Sequence, residues 1–140
     1  MNGYASLAEL KAYLKIDSAD LADDARLEAA IESASRAIDG YCGRVFWTVS
    51  ESRRYTAESA LWVEIDDLVS LTSLETDEDG DLVYEVTWSP AEYILLPANS
   101  TPKTRIVVSP RGSRVFPRHE LSVQVTGTWG YAASVPDAVN

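Results

Sequence analysis

"LEAAIESASRAIDGYCGRVF", residues 27–46, holds the point at which one periodicity gives way to another. Leu27, Ile31, Ala34, Ile38 and Cys42 recur at intervals of four, three, four and four, which places them on one face of a helix. Glu28, Glu32, Arg36 and Asp39 occupy another face, and Gly43 is the residue type that closes a helix. The spacing predicts a helix over about 23–42, with Cys42 as a small buried side chain on its apolar face. From Val45 onward the period falls to two. Helices followed by strands make an α+β domain.

Working outward toward the N-terminus, Ser6 and Glu9 form a capping box, and Leu7, Leu10 and Leu14 follow at helical spacing. This predicts a first helix over 6–16, and so an N-terminal helical pair. Toward the C-terminus, "ALWVEID" (60–66) sets Leu61, Val63 and Ile65 on one face of a strand. "DLVYEVTW" (81–88) does the same with Leu82, Tyr84, Val86 and Trp88. "YILLP" (93–97), "TRIVVSP" (104–110) and "ELSVQVTGTW" (120–129) predict three further strands, and "RVFWTV" (44–49) is a candidate for another. Asp79-Gly80 signals a tight turn, and prolines punctuate the loops. Val135-Pro136-Asp137 reads as the start of a C-terminal helix, because proline suits the first helical position and a carboxylate suits the N-terminus. With no repeat and no linker, the expectation is one domain over 1–140: helical to 44, an antiparallel β-rich region over 45–133, and a tail from 134.

A chain of 140 residues can bury roughly two thirds of its unfolded surface without disulfides or metal. The single cysteine excludes an internal disulfide framework, and no apolar run approaches the roughly 20 residues of a membrane helix. The N-terminus has no basic region followed by an apolar core, so no cleavable export signal is expected. The net charge of −10 argues against a protein whose task is to grip nucleic acid. Its distribution is uneven. Glu58 to Glu92 carries eleven carboxylates and no Lys or Arg, whereas Lys103 to Arg118 carries five basic residues and no carboxylate.

Chemical signatures are sparse. Asp77, Asp79 and Asp81 alternate like the early ligands of a calcium loop, but the sixth and twelfth positions hold Leu82 and Trp88 in place of glycine and glutamate. A solvated hairpin turn is the simpler reading, with a weak cation site as the other. His119 is the only histidine, which leaves no multi-histidine metal site, and no nucleophile or phosphate-loop motif is present. No catalytic residue and no cofactor are expected. The basic segment, with Arg111, Arg114 and Arg118, is either a solvated loop or a contact with an oppositely charged patch on a neighbouring copy; a head-to-tail contact repeated with rotation closes a ring. Asp77, Asp79 and Asp81 are the acidic counterpart. Trp129, between Thr128 and Gly130, is a core residue in the simpler reading and a contact anchor in the other, with Tyr131 beside it. Ala30, Ala34 and Ala37 form a small-residue stripe suited to close approach of the first helix or of another subunit.

"SLAELKAYLKID" (6–17), the helix of 27–46, "YTAE" (55–58), "LWVEIDDLVSLTSLETDEDGD" (61–81) and "GTWGYAASVPDAV" (127–139) together resemble the head-tail connector proteins of tailed bacteriophages, also called adaptor or head-completion proteins. The resemblance implies a structural virion protein and not an enzyme. It further implies a homo-oligomeric ring, typically dodecameric, in the neck beneath the portal vertex, assembled in the host cytoplasm. The implied partners are the portal protein and a downstream stopper or tail terminator, with DNA passing unread through a channel; some carboxylates between Glu58 and Glu92 are then expected to face either its lumen or a neighbour's Arg111, Arg114 or Arg118. In relatives the Val-Pro pair is commonly followed by a further helix that helps to dock onto the portal. Competing expectations are another neck ring, such as a stopper or tail terminator, or a small-molecule-binding or hydrolytic α+β domain. The strong helical pair counts against the mostly β neck rings.

Overall fold

The computed structural model describes residues 3–132, and the predicted C-terminal helix start at Val135-Pro136 lies outside them. The chain divides into two compact units that meet in sequence between Trp47 and Thr48. The first is helical and the second is a sheet, so the α+β class is observed.

In the helical unit, α1 runs Leu7–Leu14 and α2 Asp24–Cys42. Ser6 Oγ accepts the Glu9 N–H at 3.2 Å while Glu9 accepts the Ser6 N–H at 2.7 Å, completing the capping box. The Ser6 N–H also holds the Glu9 carboxyl below its usual range. Gly43 closes α2 at φ 64°, a left-handed conformation that glycine adopts without strain. The two helices are tied by polar side chains as much as by apolar ones. Buried Lys11 on α1 donates to the Asp20 carbonyl at 2.7 Å and pairs with Asp24 at the start of α2. Tyr4 crosses α2: its N–H donates to Ser35 Oγ at 3.0 Å, its hydroxyl donates to Asp39, and the same hydroxyl accepts the Phe46 N–H at 2.8 Å. Burial, with the Asp39 bond second, raises the Tyr4 pKa. Cys42, expected inside, is exposed; no described residue of the pair covers the last turn of α2 on that side.

The sheet unit is antiparallel throughout. Its strands are β1 Val49–Tyr55, β2 Trp62–Thr76, β3 Val86–Thr87, β4 Tyr93–Leu96, β5 Lys103–Val108 and β6 Val123–Trp129, in the order β1-β6-β2-β5-β4, with β3 added at the end of β2. Long β2 pairs with β5 through its first half and with β6 through its second, and bulges interrupt the register between. At Gly127 this brings β2 so close that a Cβ would run into the Ser70 carbonyl oxygen, so the position requires glycine. Val123, Val125 and Trp129 of β6 join Val63, Leu68, Leu74 and Ile106 in the core. Trp88 and Phe116, from the connecting segments, stack at 4.7 Å within the same cluster, and Trp88 Nε1 donates to Thr76 Oγ1 at 3.0 Å.

Two predicted strands need correcting. "RVFWTV" does not form one: residues 44–48 lead out of the helical unit, Phe46 is buried there beside Tyr4, and pairing begins at Val49. "DLVYEVTW" pairs only at Val86–Thr87, because Asp77 captures the Leu82 N–H and turns the chain, leaving Val83 60% exposed. The two sheet edges are blunted. Edge strand β1 carries Glu51, Arg53 and Arg54, and β4 is four residues long and stops at Pro97.

Candidate interaction surfaces

The acidic loop is built around Asp77, whose side chain is wholly buried. One oxygen accepts the N–H groups of Gly80 at 2.8 Å and Asp79 at 3.2 Å; the other accepts the Leu82 N–H at 2.8 Å and faces His119 Nε2 at 3.4 Å. Burial alone would raise the Asp77 pKa, but the three backbone donors and His119 outweigh it and hold the carboxyl below its usual range. Asp79 accepts the Asp81 N–H, and Asp81 accepts the Val83 N–H. Burial and the nearby charges of Asp81 and Glu85 overcome that Asp81 N–H bond and push the Asp79 pKa up. The carboxylates of Asp77, Asp79, Asp81 and Glu85 gather within 4.8 Å. Their oxygens are spent on loop backbone, Glu85 capping the Glu78 N–H at 2.6 Å, so the cluster braces a turn.

Two of the five residues of the basic segment pair with carboxylates of the acidic one within the chain. Glu64 on β2 and Arg105 on β5 are register partners and pair side by side, with Arg105 Nε donating at 2.8 Å. Arg114 Nε donates to Glu92 at 2.9 Å. The Ser89 N–H, the largest effect, and this arginine lower the Glu92 pKa. Arg118 donates to the Glu58 carbonyl at 3.1 Å. Arg111 is exposed, and among the described residues its guanidinium makes no ion pair. Of the three arginines, Arg114 is paired with a carboxylate, while Arg111 and Arg118 form no ion pair among the described residues.

Trp129 is 1% exposed and belongs to the core, the simpler of its two readings. Its Nε1 donates to the Glu51 carbonyl at 3.0 Å, and the Arg53 guanidinium lies 4.7 Å from its ring centre. Tyr131 is half-buried, after Gly130, whose N–H donates to the Asp67 carbonyl at 2.9 Å. On the helical unit an apolar groove of about 340 Å³ lies between α1 and α2, lined by Ala5, Leu10, Ala30, Ile31, Ala34 and Ile38 among others. Ala30 and Ala34 of the predicted small-residue stripe lie in its lining, while the groove itself was not foreseen.

Residues 4–75 match the family described as phage gp6-like head-tail connector protein, a span running from Tyr4 through α1, α2 and β1 almost to the end of β2. The chain belongs to that family. A solved structure titled "Neck of empty GTA particle computed with C6 symmetry" is similar at 21% identity and a TM-score of 0.60, over 94% of this chain and 67% of that one. That likeness extends the shared fold to nearly the whole sequence. No curated protein matches the chain.

Proposed function

We propose that this chain works as a ring subunit of the phage neck. As a head-tail connector it is a structural protein joining head and tail; the family match over 4–75 carries that assignment. In our reading the whole chain, 1–140, acts as one connector domain. Copies close a ring, typically dodecameric, between the portal protein and a downstream stopper or tail terminator, assembled in the host cytoplasm. DNA passes through its channel without sequence-specific binding. The protein makes and breaks no bond. The symmetric particle of the similar structure supports an oligomer, and the excess of carboxylates, eleven of them between Glu58 and Glu92, favours an acidic conduit wall that repels DNA. Arg111 and Arg118 are the basic groups left to meet a neighbour's acidic loop at Asp79 and Asp81, because Arg114 is held by Glu92.

Deleting the gene and imaging the resulting particles tests the role. Heads without tails, restored to tailed particles by adding the purified chain, are the expected result. Tailed particles of normal yield would overturn it.

A further inference from the structure

We propose that Asp79–Gly80 is the bond of the folded chain most open to aspartyl isomerisation, and that buried Asp77 is the latch restraining it, an inference that stands whether or not copies close a ring. An aspartate followed by glycine suits this reaction best, because no side chain shields the glycine nitrogen. The chain contains two such pairs, Asp39–Gly40 and Asp79–Gly80. The first lies inside α2, where helical bonding fixes the backbone and Tyr4 and Arg36 engage the Asp39 carboxylate. The second lies in an exposed loop outside any helix or strand, and nothing stands within 4 Å of where a Gly80 side chain would be.

In the reaction the Gly80 nitrogen loses its proton and bonds to the side-chain carboxyl carbon of Asp79, whose hydroxyl leaves as water. A second water opens the five-membered imide at either carbonyl, giving Asp79 again or an isomer of equal mass. In the isomer the chain runs through the β-carbon, so the backbone gains one carbon and the carboxylate arm loses one. Ring closure needs the Gly80 N–H released and the Asp79 backbone turned until that nitrogen meets the side chain. One atom opposes both. A single Asp77 oxygen accepts the Gly80 N–H at 2.8 Å and the Asp79 N–H at 3.2 Å, gripping the peptide groups on either side of Asp79. The Asp79 carboxylate is meanwhile turned forward to accept the Asp81 N–H at 3.3 Å. Asp77 is itself anchored: its side chain is wholly buried and its second oxygen holds the Leu82 N–H at 2.8 Å.

The test stores the purified full chain, Asp77→Ala and Asp77→Asn in the folded state at neutral pH, beside wild type in urea, and then cleaves each after glutamate. Chromatography separates the isomers of peptide 79–85, released at Glu78 and Glu85, and of the peptide carrying Asp39–Gly40. Circular dichroism before storage reads the fold. Folded wild type should isomerise slowly at Asp79, and Asp77→Ala severalfold faster, near the urea rate. Asp77→Asn, which keeps one acceptor oxygen, should fall between them and carries the comparison should Asp77→Ala misfold. Asp39 should isomerise in urea alone. Folded wild type reacting at Asp79 as fast as in urea overturns the latch, as does a folded Asp77 variant no faster than wild type. Isomer at Asp39 ahead of Asp79 in the folded chain, or none at Asp79 even in urea, overturns the site.

Discussion

Asp77 and His119 face each other at 3.4 Å, and the carboxylate that His119 meets is the one holding the Leu82 and Gly80 amides. One buried group therefore fixes both the loop after β2 and the segment before β6. Asp77→Asn exchanges an acceptor oxygen for a donor and strands at least one of those amides. It should lower the melting temperature by several degrees at neutral pH. The Asp77 pKa is lowered on folding, so its contribution is complete above the unfolded value and is lost as pH falls through the folded one. The gap between wild type and Asp77→Asn should close as the pH drops below about 3.8, read by thermal melts across the acid range.

Removing either partner of the Lys11–Asp24 pair should have unequal effects. The Lys11 side chain is 5% exposed and that of Asp24 24%, so losing the carboxylate strands the more deeply buried charge. Asp24→Asn should cost about 3 kcal/mol, and Lys11→Met, which fills the same space with an apolar chain, clearly less. Urea unfolding of both single variants checks the order.

Gly127→Ala puts a methyl group against the Ser70 carbonyl, where the backbone of β2 cannot withdraw without breaking its pairing with β6. A loss of about 2 kcal/mol or more is expected, seen in urea or as insoluble expression.

Arg111→Glu and Arg114→Glu should separate assembly from stability. The first alters an exposed, uncommitted charge and should leave stability within about 0.5 kcal/mol while weakening association at low salt. The second breaks the Glu92 pair and sets two carboxylates together, so it should lower the melting temperature as well. Sedimentation beside thermal melts distinguishes the two.

The helices were legible because their signals are local. Ser6 with Glu9, and the spacing from Leu27 to Ile38, gave α1 and α2 to within two residues at each end. Strand β1 was hidden because "VSESRRY" has polar residues on both faces, as suits a sheet edge. The second half of β2 was hidden because its bulges break the two-residue period. The strand predicted at 81–88 was lost to a single buried carboxylate, which no alternation reveals. Charge reading found the opposite segments but not that Glu64 meets Arg105 and Glu92 meets Arg114, since those pairings depend on strand order.

The blunted rims of the sheet bear on how such a protein survives before it is used. A particle component is made in many copies at once, and bare backbone on two open strands would let them zip into an endless ribbon. Charged β1 and the short β4 deny that runaway route. Growth must then proceed through shaped side-chain contacts, which can be counted out and come to an end.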